Sequence, residues 1–196
     1  MVTSKTVNDL WGSYSQYANI ANRLGQTTES AIKTSALFYQ QGLDTAEVLK
    51  LTESTMKLAT LAGQDFETST KQLTAALRAF HMEMEQGEHV TDVYSELAAH
   101  AAADVSGIAD AMSKVASIAS SAGASFENTS AFLTQIIETT QEGGVNAGTA
   151  LKTIIARFTE LKENVDDTEE SFEDLDYNKV DKALKSVGIN LKDETG

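Results

Sequence analysis

The chain has 196 residues, of which 41% are apolar, and its net charge of −14 comes from 29 acidic and 15 basic side chains. Proline and cysteine are both absent, which favours helices almost throughout and excludes disulfides and thiolate chemistry. The negative charge disfavours a nucleic-acid surface and contact with an anionic membrane, and no apolar run approaches the roughly 20 residues of a transmembrane helix.

Apolar residues near the N-terminus follow a heptad pattern. They recur at alternating steps of three and four from Val7 to Leu24, which predicts the end of a coiled coil. Gly25 ends the pattern, and a connecting helix is predicted at about Thr28 to Gln41. Residues 1–41 are therefore interpreted as a coiled-coil end with a connecting helix, and we expect the coiled coil to join copies of the chain into a homo-oligomer.

The next stretch, residues 42–161, partly matches itself at an offset of 60 residues. Asp44 then meets Asp104, and the run from Ala62 to Thr74 meets the run from Ala122 to Thr134. A match at one fixed offset across helices and their breaks is typical of stacked repeats. We predict an all-α fold with two tandem three-helix units of about 60 residues, Gly42 to Ala103 and Asp104 to Leu161, whose backbones superpose.

Polar caps and glycines delimit the predicted helices of these units. Asp44 and Glu47 have the spacing of a capping box, and Asp65 is the expected cap of the following helix. The helices are expected to break near Gly63, Gly87 and Gly123. The predicted main core anchors are Phe66, Leu73 and Leu77 in the first unit and Phe126, Leu133 and Ile137 in the second. Because alanine supplies much of the apolar content, we expect close helix contacts and modest stability.

The composition changes after residue 161. Residues 160–176 hold nine acidic side chains and the single base Lys162, which predicts a solvated, flexible acidic linker at residues 162–178. A short helix is expected at about Lys179 to Val187. It opens the last segment, residues 179–196, whose polar end we interpret as a point inside a larger protein.

One helix carries the strongest candidate for a metal site. This is the helix predicted after Gly87, the fifth along the chain. One side of it carries four residues that could in principle bind a divalent cation, namely His89, Asp92, Glu96 and His100. They also lie beside the apolar stripe of that helix, where a solvated polar face is expected, and tight ligand spacing such as HExxH is missing. We interpret them as a solvated face.

Two other groups of residues have structural interpretations as well. Gly143, Gly144 and Gly148 lack the lysine of a phosphate-binding loop, so a helix end followed by a flexible turn is the better interpretation. Met82 and Met84, beside Phe80, are interpreted as core filling. Since no serine stands in a nucleophile elbow, we predict no catalytic, cofactor or metal site, and the chain is not expected to be an enzyme.

The ordered set of helix-packing patterns resembles the core region of phage tail tape measure proteins, found in long-tailed phages and prophages. The similarity covers about Thr28 to Leu161 and resumes near Tyr177. It is carried by the segments Tyr39–Asp44, Leu73–Phe80, Val93–Ala98, Ala116–Ala119, Gly148–Phe158, Tyr177–Val180 and Val187–Ile189. Each pattern alone is common among helical proteins, whereas their order is specific.

The resemblance implies a structural component of the virion. Members of that family lie in the lumen of the tail tube, set the length to which the tube polymerises, and leave the tail during genome ejection. Implied partners are tail tube proteins, tail tip proteins and tail assembly chaperones, with the host bacterial cytoplasm as the place of assembly. The alternative hypothesis is a soluble helical-repeat adaptor that binds a partner helix.

Overall fold

The computed structural model describes residues 11–166, and their side chains as far as residue 159. This part of the chain is helical and contains no strand, which confirms the predicted all-α class. The helices are α1 (Tyr14–Arg23), α2 (Thr28–Gln40), α3 (Thr45–Ala62), α4 (Phe66–Ala79), α5 (Gly87–His100), α6 (Val105–Ser121), α7 (Phe126–Thr140) and α8 (Gly144–Asp166), with a 3₁₀ turn at Met84–Gln86. The chain divides into two compact units, residues 1–156 and 157–196, and the packing described below is that of the first.

Side-chain caps fix where the helices begin. The capping box predicted at the start of α3 is confirmed, because Asp44 Oδ1 accepts hydrogen bonds from the backbone amides of Ala46 and Glu47 at 2.8 and 2.9 Å. The Glu47 carboxylate in turn accepts from the Asp44 amide at 2.8 Å. Asp65 caps α4 as predicted, accepting from the Thr68 amide at 2.8 Å. These bonds satisfy backbone donors that a helix N-terminus leaves unpaired.

The second half of the chain has caps at the positions predicted by the 60-residue offset. Asp104 accepts from the Gly107 amide at the start of α6, and Ser125 Oγ accepts from the Asn128 amide at 3.1 Å at the start of α7. The caps at 44 and 65 therefore have counterparts at 104 and 125. That the two units superpose as wholes stays a prediction.

Left-handed residues end several helices. Gly63 and Gly123 have φ of +62° and +84°, a conformation in which glycine has no Cβ to clash. Gly87 has another role, since it begins α5, is buried, and would place a Cβ 3.0 Å from the Leu51 side chain. The break before α5 instead includes His81, whose φ is +53°.

From α1 to α7, neighbouring helices along the chain pack together, and so do next-but-one neighbours. Thus α2 contacts α3 and α4, α3 contacts α5, α4 contacts α6, and α5 contacts α7. Two apolar clusters result. The larger one includes Phe38, Leu51, Leu58, Leu73, Leu77, Tyr94, Ile108, Met112, Val115, Phe126, Leu133 and Ile137.

Five of the six predicted core anchors belong to the larger cluster, and Phe66 does not. Phe126 is buried, with its ring centroid 5.5 Å from that of Tyr94 and 5.7 Å from that of Phe80. Phe66 is only partly buried and packs against the smaller cluster. The difference arises because helices α1 and α2 contribute to the cluster that Phe66 meets, whereas Phe126 packs among aromatic rings from the α4–α5 region.

Two central positions of the predicted heptad seam are buried within the chain, whereas Tyr14 of the same seam is exposed. Tyr17 and Ala21 are fully buried in the smaller cluster, together with Ala31 of α2 and Met56 of α3. Tyr17 Oη also lies 3.2 Å from Tyr39 Oη. These seam positions are therefore already occupied by the chain itself, while the first part of the seam, Val7 and Leu10, lies outside the described residues.

The predicted acidic linker is described only at its start. Helix α8 extends to Asp166, so residues 162–166 are helical. The rest of the linker and the short helix expected at about Lys179 to Val187 lie outside the described residues.

Candidate interaction surfaces

The four candidate metal ligands on α5 do not converge on one point, because His89 pairs with a residue of α7 and His100 with Glu96 of its own helix. His89 Nε2 lies 2.8 Å from the Glu127 carboxylate of α7, and this hydrogen bond is the main cause that lowers the pKa of Glu127 below its usual 4.5. His100 Nδ1 lies 2.9 Å from the backbone oxygen of Glu96 and 3.4 Å from its carboxylate. Within residues 11–159, no three His, Asp or Glu side chains are placed to hold a metal ion.

Gly144 and Gly148 are helix-contact residues, so interpreting them as part of a flexible turn was wrong. Both are buried in the first turns of α8. A Cβ at Gly144 would lie 2.7 Å from the carbonyl carbon of Gly107, and one at Gly148 would lie 2.8 Å from that of Ala111, both on α6. The two helices therefore cross with backbone against backbone, which only glycine permits.

The turn preceding α8 has no glycine at its left-handed position. Gln141 ends α7 with φ of +56°, and its amide donates to the backbone oxygen of Ile137 at 2.9 Å. Only Gly143 of the three glycines lies in the connection, and a Cβ there would meet nothing within 4 Å. The sequence signal that could have identified the crossing is the spacing of four shared by Gly144 and Gly148 on one helix and by Gly107 and Ala111 on the other.

The methionines beside Phe80 take part in the core. Met82 and Met84 are partly buried and pack, like Phe80, against the larger apolar cluster. Their flexible thioether side chains fill space where α4 gives way to the 3₁₀ turn. They leave no methionine-rich surface at this point.

A charged groove of about 250 Å³ lies between α3 and the α5 region. It is lined by Lys50, Glu53, Ser54, Lys57, Glu85 and Glu88. Glu88 accepts a hydrogen bond from Lys57, which raises the lysine pKa and lowers the glutamate pKa. The Ser54 hydroxyl donates to the backbone oxygen of Lys50 at 3.1 Å. Lys50 lies 3.9 Å from Glu85, and Glu53 pairs at 2.9 Å with Arg23, which does not line the groove. Each charged side chain of the groove thus has an opposite charge beside it, and the Ser54 hydroxyl is bonded to backbone rather than activated as a nucleophile.

Helices α3 and α4 bury polar atoms that lack a hydrogen-bond partner. Among the described residues, these are atoms of Thr52, Thr55, Gln64, Ser69, Gln72 and Thr74. An unpaired buried polar group costs about 1 to 3 kcal/mol. The sequence does show threonine and serine at these helical positions, but it does not show which hydroxyls find a carbonyl. These buried polar atoms consequently lower the stability of the region from α3 to α4.

Several large apolar side chains remain exposed on the described surface. They are Trp11, Tyr14, Leu61, Phe132, Val145 and Phe158, with exposed fractions between 46% and 72%. The rings of Trp11 and Tyr14 stack with centroids 6.2 Å apart. Among the helices of residues 11–166, none has both the length and the apolar character needed to cross a membrane.

The sequence profile described as Phage-related minor tail protein matches residues 18–196. The chain belongs to this family. The match includes all the helices from α2 to α8 together with the acidic segment. Membership assigns the chain to the structural proteins of phage tails.

Two curated relatives support the same assignment. The Tape measure protein of Pneumococcus phage Dp-1 is 27% identical over 157 residues, which are 80% of this chain and 14% of that protein. The Probable tape measure protein of Escherichia phage P2 is 24% identical over 180 residues, which are 90% of this chain and 20% of that protein. Their names confirm the resemblance to tape measure proteins, and the chain spans between about a seventh and a fifth of their length. No solved structure matches the chain.

Proposed function

We propose that this chain is a compact helical segment of a tape measure protein, the tail component that sets tail length and leaves the tail during genome ejection. The observation that carries the proposal is the family match across residues 18–196. The two relatives with tape measure names add to it. Within such a protein, the segment serves mainly tail assembly and release.

The packing of the helices suits a protein that must unfold and leave through a narrow tube. The chain has no disulfide to reduce and no proline whose isomerisation would slow refolding. Buried polar atoms without hydrogen-bond partners lower the stability of the region from α3 to α4. Local opening of helices is easiest where contacts are few or poorly satisfied. A net charge of −14 also reduces adhesion to DNA that uses the same lumen.

The proposed partners follow from that location. They are tail tube proteins and tail tip proteins in the virion, and tail assembly chaperones in the host cytoplasm before assembly is complete. The described helices provide no paired nucleophile and base, so the proposed role is structural rather than enzymatic. Lumenal residence in the tail belongs to the same proposal.

The lengths of the helices argue that the segment itself is not the ruler. A continuous helix rises about 1.5 Å per residue, so a 60-residue unit would correspond to roughly 90 Å of tail. Helix α3, with 18 residues, is instead followed by a turn at Gly63 and by helices that pack back onto it. A folded segment contributes little length.

Deleting residues 104–161 from the tape measure gene of the phage that encodes this chain tests both parts of the proposal. We expect fewer complete, infectious particles, whereas the tails that do form keep their normal length in electron micrographs. The matched control keeps the chain length and replaces Phe126 by alanine, which disturbs folding alone. Viable tails shortened by about 90 Å would refute the compact-segment view. Normal assembly, length and infectivity in the deletion would refute the tail function and favour an adaptor role.

A further inference from the structure

One face of α7 is exposed, apolar at its centre and uncharged. We call it the Phe132 face. It consists of Asn128, Ala131, Phe132, Gln135 and Thr139, which follow one another at steps that place them on one side of the helix and which are all exposed. Phe132 is 62% exposed. The Gln135 amide donates to the Thr139 hydroxyl at 3.1 Å within this face.

Both carboxylates of α7 are engaged elsewhere. Glu127 Oε1 lies 2.8 Å from His89 of α5, and Glu138 Oε1 lies 3.5 Å from the backbone amide of Ala102, just after α5. The charged side chains of the helix are thus directed to the α5 side. In a chain with a net charge of −14, most surfaces of two copies repel each other, whereas this face does not contribute to the repulsion.

The position of Phe132 in the fold also marks it as a helix-packing position. Sixty residues earlier stands Gln72 on α4, which is only 6% exposed. Its amide donates to Asp110 of α6 at 2.8 Å, so α6 covers that face of α4. The corresponding face of α7 carries a phenylalanine and, within the described residues, is left open to solvent.

The predicted heptad seam is a poorer candidate for the same task. Tyr17 and Ala21, at the centre of its described part, are fully buried inside the chain. A partner chain would have to displace them from α2 and α3. These two positions are therefore closed to a second copy, and among the described residues of the seam only Tyr14 is exposed.

We propose that the Phe132 face is a self-association surface on which α7 packs against α7 of a second copy. In a twofold dimer the same patch meets itself. An uncharged face is self-complementary in that arrangement, and amides such as those of Asn128 and Gln135 both donate and accept hydrogen bonds. A patch one helix wide is smaller than the roughly 800 Å² per partner of a standard interface, so the dimer is weak and depends on concentration. This inference does not depend on the tail function.

Sedimentation velocity of the full chain over a range of concentrations tests the proposal. The wild type is expected to show a monomer–dimer equilibrium that strengthens with added salt, because salt screens the repulsion between the acidic copies. Phe132→Gln, which introduces the residue found at position 72, should weaken dimerisation about tenfold or more, equivalent to about 1.4 kcal/mol. Leu61→Gln is the matched control, since Leu61 is 51% exposed on α3 and should leave the equilibrium unchanged. Circular dichroism verifies that both variants keep their helices.

Single cysteines locate the contact, because the natural chain has none. Cysteine variants at Asn128, Ala131 and Gln135 are oxidised separately, and at least one is expected to form an intermolecular disulfide, which needs Cα atoms about 4.4 to 6.8 Å apart. Leu61→Cys should not. A wild type that stays monomeric at all concentrations overturns the proposal. So does a dimer that Phe132→Gln leaves intact, or one in which none of the three cysteines cross-links.

Discussion

Replacing Gly148 by alanine should destabilise the protein, although the same change stabilises most helices. Alanine is favoured over glycine inside a helix by about 1 kcal/mol. Gly148, however, is buried on the side of α8 that crosses α6. The atoms in the way belong to the backbone of Ala111, so no change of side-chain rotamer can make room. The close crossing of α8 and α6 is therefore the reason why this substitution should lower, rather than raise, the stability of the protein.

The size of the effect can be worked out from the contact distances. A Cβ at position 148 would lie 2.8 Å from the Cα and carbonyl carbon of Ala111, and closer still to the carbonyl oxygen. Ordinary contact begins at 3.4 Å, so α8 must move by 0.6 Å (3.4 − 2.8) to clear the carbon atoms and by 1.2 Å (3.4 − 2.2) to clear the carbonyl oxygen. Overpacking of this kind costs about 1 to 3 kcal/mol. Because the atoms in the way belong to the backbone, the upper part of that range applies, about 2 to 3 kcal/mol. After the gain of about 1 kcal/mol in helix propensity, we expect a net loss of about 1 to 2 kcal/mol, or roughly 2 to 8 °C in Tm.

Thermal and urea unfolding followed by circular dichroism measures this loss. Gly143→Ala is the first control, because a Cβ there meets nothing within 4 Å, and it should change stability by less than about 0.5 kcal/mol. Ala150→Gly, at an exposed position of α8, is the second and should lose only about 1 kcal/mol through helix propensity. A Tm for Gly148→Ala that rises above that of the wild type would show that α8 does not approach α6 at Ala111.

Two further predictions concern the core and acid stability. Phe126→Ala should lower the free energy of unfolding by about 3 to 5 kcal/mol, and Phe66→Ala should lower it clearly less, since Phe126 is 3% exposed and Phe66 is only partly buried. Equal losses of stability in urea unfolding would contradict the assignment of the two rings to different clusters. The pKa of Glu127 is lower in the folded protein than its unfolded value near 4.5. The ionised Glu127 carboxylate therefore stabilises the fold at pH values above 4.5. This stabilisation is lost as the pH falls through the pKa of the folded state. Glu127→Gln should therefore be less stable than the wild type at neutral pH, and the two proteins should become equally stable in acid. If the difference in stability stays constant down to pH values below the folded pKa, the bond to His89 does not stabilise the fold.

The helix boundaries could be predicted because their causes are local in sequence. Asp44 and Glu47 stand at the spacing that closes a capping box, and the bonds predicted from that spacing are present. Gly63 and Gly123 follow stretches of helical periodicity and adopt the left-handed conformation that ends a helix. For such features, the residues that cause the structure lie within one or two turns of it.

Contacts between distant helices were harder to predict. Gly144 and Gly148 follow a helix end, and only the position of α6 shows that they serve close packing. Phe66 and Phe126 hold matching positions in the sequence, yet Phe66 packs against the smaller cluster, to which α1 contributes Tyr17 and Ala21, and Phe126 belongs to the larger one. The candidate metal ligands on α5 share one side of a helix, but the partner of His89 comes from α7. In each case the decisive neighbour belongs to another helix, which periodicity and spacing do not identify.

The order in which the helices pack has a mechanical consequence. From α1 to α7, the helices with substantial mutual contact are at most three apart along the chain, as in α3 with α6. Proteins with such local contacts fold rapidly, because short loops lose little entropy on closing. A pull applied to one end of the chain would therefore meet the helices in sequence order and could detach them one after another, each step breaking only a few neighbouring contacts. Once the force ends, the same short-range contacts can form again without a search for distant partners.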